Sequence, residues 1–140
     1  MQKRSYSLWL ARLLIGLVLF INVQSALVFF IRPTGFAPAY ELSGVSGIAA
    51  IRGFAVLFLM WNVPYAVALI NPLKFRVSLY EAIAMQSIGL VGESIIVWGL
   101  PAGHEVLQAS LLRFILFDGA GLLALIVAAG VTKLIHKNSP

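Results

Sequence analysis

The stretch LWLARLLIGLVLFINVQSALVFFI, residues 8–31, decides the fold. At about 1.5 Å per residue it is long enough, as a helix, to cross the ~30 Å hydrocarbon core of a bilayer. Arg32-Pro33 ends it, because proline has no N–H to continue the helical ladder and biases the residue before it away from helix. Three more apolar runs follow, the first two of them ended by proline in the same way. One covers about 47–70, contains Pro64 and stops at Asn71-Pro72; the next covers 79–100 and stops at Pro101 and Gly103; the last covers 107–134. The sequence therefore predicts an all-α integral membrane four-helix bundle of up-down-up-down topology, with residues 1–140 forming one transmembrane domain.

Composition agrees. Hydrophobic residues make up 61% of the 140 residues and charged residues 11%, with a mean hydropathy of +0.97, well outside the mixture of a soluble domain. No room is left for a soluble domain beside four spans. Without cysteine, the chain has no disulfide, thiolate nucleophile or iron–sulfur ligand, and dithiol chemistry coupled to quinones is excluded.

The basic residues set an orientation. Lys3, Arg4 and Arg12 flank the start of the first span, Lys74 and Arg76 lie between the second and third, and Lys133 and Lys137 follow the fourth, whereas the opposite side has chiefly Arg32. Both termini are expected to be cytoplasmic, in a bacterial-type inner membrane. The net charge of +5 then reflects topology and contact with anionic lipid, not nucleic acid. Met1 to Arg4 before an apolar stretch resembles a signal peptide, with Val23-Gln24-Ser25 as an imitation of a cleavage site, but the run continues to Ile31 and reads as a retained anchor.

Inside the spans, charge is costly and calls for a partner. Helical rise places Arg52 about 8 Å, Glu93 about 10 Å and Arg113 about 9 Å from the outer ends of their spans, with Asp118 deeper at about 16 Å, near Asn22. Asn62 and Gln86 share a level on the cytoplasmic side. Pairing Glu93 with Arg113 and Asp118 with Arg52 would give a buried ionic layer in the outer half. Such a layer serves either as interhelical glue or as the lining of an outward cavity for an anionic or carbonyl-bearing headgroup. Ala82, Gln86, Gly89 and Glu93 fall on one helical stripe, and Ala120, Ala124 and Ala128 make a second stripe of small residues. Asp118 lies about 140° around its helix from Arg113, so the two cannot face the same way.

Other features read as structural. Ser78-Leu79-Tyr80-Glu81 has the spacing of a capping box, which accounts for Glu81. Asn62 and Tyr65 flank Pro64 and are expected to pack about its kink. His104 and His136 fall on opposite sides of the membrane, excluding a shared metal or haem, and Trp9, Trp61 and Trp98 suit an interfacial belt. No phosphate loop, zinc motif or dinucleotide fingerprint is present, so neither a metal nor a cofactor is expected.

Four spans, a longer first outer loop with Pro33, Gly35 and Pro38, and the stretch Gly89-Leu90-Val91-Gly92-Glu93 resemble the DoxX-like four-helix membrane proteins. That resemblance implies an accessory or quinone-proximal role. The chain departs from the pattern in carrying its glycine-flanked acid on the third helix instead of the second. Together these readings describe a non-catalytic subunit, or a module binding a small amphipathic ligand such as a quinone or lipid, through the buried layer of Arg52, Glu93, Arg113 and Asp118. Asn22, Asn62 and Gln86 give polar support. The alternative is an oligomeric small transporter or proton-coupled channel protomer. An intramembrane enzyme is disfavoured, since no nucleophile joins the acids. Membrane lipids, a homo-oligomer or a larger membrane complex are the expected partners.

Overall fold

A computed structural model describes residues 2–137 of the chain. The side chains of Lys3, Arg4 and His136, used above for orientation and histidine placement, lie outside the described residues, as does Met1. The helices are α1 (Gln2–Ile31), α2 (Gly44–Trp61), α3 (Val63–Ile70), α4 (Arg76–Gly99) and α5 (Glu105–Lys137), with 3₁₀ turns at Pro33–Gly35 and Ala37–Tyr40. Four stretches are long and apolar enough to cross a membrane: Ser5–Ile31, Gly44–Ile70, Arg76–Gly99 and Glu105–Ile135. Large apolar side chains such as Leu13, Phe20, Leu116 and Leu123 lie exposed along them, as suits helices whose surroundings are acyl chains.

The second span is broken, and the break shapes the bundle. Pro64 has no N–H, so the ladder fails one turn earlier. The Asn62 N–H abandons the Phe58 carbonyl for those of Leu59 and Met60, and the Asn62 side chain replaces it, Nδ2 donating to the Phe58 oxygen at 2.6 Å. The helix restarts with the Ala66 N–H donating to the Asn62 carbonyl at 3.1 Å. Beyond the break α3 packs closely on α4 and α1; before it α2 packs on α1 and is not among the elements packed closely against α4. The gap so left between α2 and α4 opens on the side of the bundle. Asn62 thus acts at the kink as its position beside Pro64 suggests.

Two cores result. Toward the Asn71 turn, Ala11, Ile15, Ala68, Leu79, Ala82, Leu125 and Ala128 are fully or almost fully buried, and the alanines let four helices approach closely. Toward the other end an aromatic cluster gathers around Phe29, which lies 4.5 Å from Phe36 and 6.0 Å from both Phe58 and Phe114 between ring centroids. There the loops meet: His104 Nδ1 lies 2.5 Å from Glu41 Oε2. Glu41 reaches it from a left-handed conformation (φ 56°), and Gly103 (φ 97°) supplies the backbone freedom that the facing loop needs.

Two local expectations change. Helix α4 begins at Arg76 with Phe75 at its N-cap and no side-chain cap, so Ser78 already lies inside the first turn and the capping box does not form. On α5 the buried stripe runs through Gly121, Leu125, Ala128 and Thr132; Ala120 is exposed.

Candidate functional site

The side of the bundle between α2 and α4 holds a groove of about 310 Å³. Its floor is built by three helices. On α3, Tyr65 is held by the restart after Pro64 and is almost completely buried; its Oη lies 2.6 Å from Gln86 Oε1 and 3.1 Å from the Ala82 carbonyl. On α4, Gln86 passes the chain onward, Nε2 donating to Asp118 Oδ1 of α5 at 2.8 Å. Buried polar groups must be bonded in a setting without water, and this relay supplies the bonds.

Glycines make the relay possible. A Cβ at Gly89 would collide with the Asp118 carboxylate, and one at Gly121 would lie 2.7 Å from Gln86 Nε2. Each helix therefore offers a glycine to the polar side chain of the other: Gln86 and Gly89 on α4 meet Gly121 and Asp118 on α5. Rising numbers on one helix meet falling numbers on the other, the register of antiparallel neighbours. The sequence carries this as Gln86-x-x-Gly89 beside Asp118-x-x-Gly121, a repeated spacing that the reading of stripes passed over.

Glu93 lies one turn further along the α4 stripe, on the groove wall, half-buried, and its Oε2 is enclosed without a hydrogen-bond partner among the described residues. Asn62 Oδ1 is likewise enclosed and unpartnered, and Asn22 of α1 is half-buried on the same lining. Phe58, Trp61, Phe114 and Phe117 are the aromatic walls. Ala82, Gln86, Gly89 and Glu93 do share one face, as their spacing predicts.

The expected buried layer of Arg52, Glu93, Arg113 and Asp118 does not exist. Among the described residues no Asp, Glu, Lys, Arg or His side chain is buried: Arg52 and Arg113 are exposed, and Glu93 and Asp118 are half-buried. The predicted pairs are absent too, the one ion pair among the described residues being Glu41 with His104. With the layer falls the function assigned to it, that of a subunit or small-ligand module working through buried Arg, Glu and Asp side chains.

The physical reason lies in helix ends and helix faces. Arg52 turns to α1, Nε 3.4 Å from the Phe30 carbonyl and the guanidinium carbon 5.8 Å from the Phe30 ring centroid. Arg12 does the same at the far end, Nη2 donating to the Ile70 carbonyl of α3 at 2.6 Å. Both cations thus satisfy carbonyls that a helix C-terminus leaves free, where its dipole also favours positive charge. Arg113 faces away from Asp118 and lines a separate cavity of about 240 Å³ with Tyr40 and Phe36. Ser25, Phe114 and Phe117 line both spaces and so divide them. Outside the spans, burial pushes the Tyr40 phenol above its ordinary range; the charge of Glu93 adds to the rise and that of Arg113 opposes it.

The groove is therefore acidic: two carboxyl groups line it and, among the described residues, no Lys, Arg or His does. Such a lining can hold a cation or a proton, with aromatic faces for an organic cation. No family model matches the chain, and neither a curated protein nor a solved structure does. The DoxX-like resemblance accordingly rests on layout and on residues 89–93 alone.

Proposed function

We propose that this protein binds the cationic group of an amphipathic molecule that enters the groove sideways from the bilayer. Glu93 is the counter-ion, since its Oε2 has no partner among the described residues. Asp118 is held by Gln86 and by the fit against Gly89, and contributes a fixed negative charge behind it. Phe58, Trp61, Phe114 and Phe117 receive the cation against their faces, an attraction of about 0.5–2 kcal/mol for each good contact. The apolar tail stays in lipid through the gap between α2 and α4. The observation that carries this reading is the pairing of two acids with aromatic walls and no basic side chain in one lateral groove.

The lysines and arginines between the second and third spans and after the fourth support an up-down-up-down passage with both termini cytoplasmic. The groove then opens in the outer half of the bilayer. The test is binding of an alkyltrimethylammonium probe to the protein in maltoside micelles, followed by native mass spectrometry. Glu93→Gln is expected to weaken it on the order of tenfold, the loss of about 1.4 kcal/mol. Equal affinity in wild type and Glu93→Gln would end the proposal.

A further inference from the structure

Glu93 and Arg113 stand close enough for both to act on the Tyr40 phenol, yet they do not pair with each other. Each lines its own space, and the two spaces share the wall of Phe114 and Phe117. Helical rise puts both at a similar depth, about 9 Å from the Gly99 end of α4 for Glu93 and about 12 Å from the Glu105 end of α5 for Arg113. A carboxylate and a guanidinium at similar depth, on either side of the Phe114–Phe117 wall and each without an ion-pair partner among the described residues, present charges of opposite sign to whatever lies across them. This is unlike a buried ionic layer, in which the two would neutralise each other.

We propose that the amphiphile is zwitterionic: its ammonium lies at Glu93 and its phosphate at Arg113, bridged across the edge of the Phe114–Phe117 wall beside Tyr40. This rests on the cation-binding reading of the groove and names its substrate class, lipids whose headgroup joins an ammonium to a phosphate through a short link. Arg113 suits the phosphate because a guanidinium can offer two parallel N–H donors to two of its oxygens. Tyr40, on the lining of the same cavity, adds a third donor: its hydroxyl bonds to no other group among the described residues.

The experiment compares three probes on one protein by native mass spectrometry in maltoside: short-chain phosphatidylethanolamine, short-chain phosphatidylglycerol, which has the phosphate without the ammonium, and the alkyltrimethylammonium. Phosphatidylethanolamine is expected to bind most tightly. Arg113→Gln should weaken it on the order of tenfold and leave the alkyltrimethylammonium unchanged, while Glu93→Gln weakens both. Tyr40→Phe, a deletion of one hydroxyl that spares the packing, should lower phosphatidylethanolamine binding several-fold and the ammonium probe not at all. Arg113→Lys should restore part of the loss. If neither Arg113→Gln nor Tyr40→Phe alters phosphatidylethanolamine binding, the zwitterion is wrong and the cation reading stands. Phosphatidylglycerol binding as tightly as phosphatidylethanolamine overturns it as well, and failure of the ammonium probe to bind removes both proposals.

Discussion

The two halves of the bundle are built from the same kind of helix and behave differently. Toward the Asn71 turn, alanines at positions 11, 68, 82 and 128 draw α1, α3, α4 and α5 together into a dry core. Toward the Glu41–His104 loops, bulky rings of Phe29, Phe36, Phe58 and Phe114 hold the elements apart, and α2 leans on α1 instead of α4. In lipid there is little hydrophobic gain from closing a gap, so the size of the interfacial side chains and the break at Asn62-Val63-Pro64 decide which half closes. The closed half supplies rigidity, and the open half is where polar groups find room.

The seam between the halves is the place to break this contrast hardest. Gly89→Ala and Gly121→Ala each force a methyl group against Asp118 or Gln86, and each is expected to lower stability by about 1–3 kcal/mol, measured as loss of folded protein on heating in detergent. Full stability in both variants would mean that α4 and α5 are not joined by the Gln86–Asp118 relay. A smaller effect is expected from Pro64→Ala. It restores an N–H where the ladder fails, lets α2 and α3 run on as one helix, and should reduce alkyltrimethylammonium binding several-fold while stability changes little. Unaltered binding in that variant would show that the gap does not depend on the break.

The smallest effect concerns the loops over the open half. Because the folded protein raises the Tyr40 phenol above its ordinary value of 10, the folded state keeps this proton where the unfolded chain gives it up. Stability from this group is fully present below that pH and is lost as pH climbs past it. Melting in alkaline buffers should therefore fall more steeply for wild type than for Tyr40→Phe. Parallel curves would show that Tyr40 is not shielded.

The spans, their ends and the face shared by Ala82, Gln86, Gly89 and Glu93 were legible in the sequence, because proline and helical spacing act locally. Asn62 could also be read as a companion of Pro64. The fate of the charges could not. Depth along a helix says which groups share a level but not which way each neighbour leans, and the lean of α2 removed Arg52 from Asp118. The free carbonyl at Phe30 then took Arg52, a competitor to ion pairing that depth arithmetic leaves out. The groove itself needed the α2–α4 gap, which no single span encodes, although the matched Gln86-x-x-Gly89 and Asp118-x-x-Gly121 spacings were there to suggest how α4 and α5 meet.

The sign of the groove is the claim on which the functional account stands. Two probes with the same alkyl chain, one ending in trimethylammonium and the other in sulfate, can be titrated against the wild-type protein and their affinities compared by native mass spectrometry. The account predicts clear preference for the ammonium, on the order of tenfold or more. Equal binding, or preference for the sulfate, would contradict it.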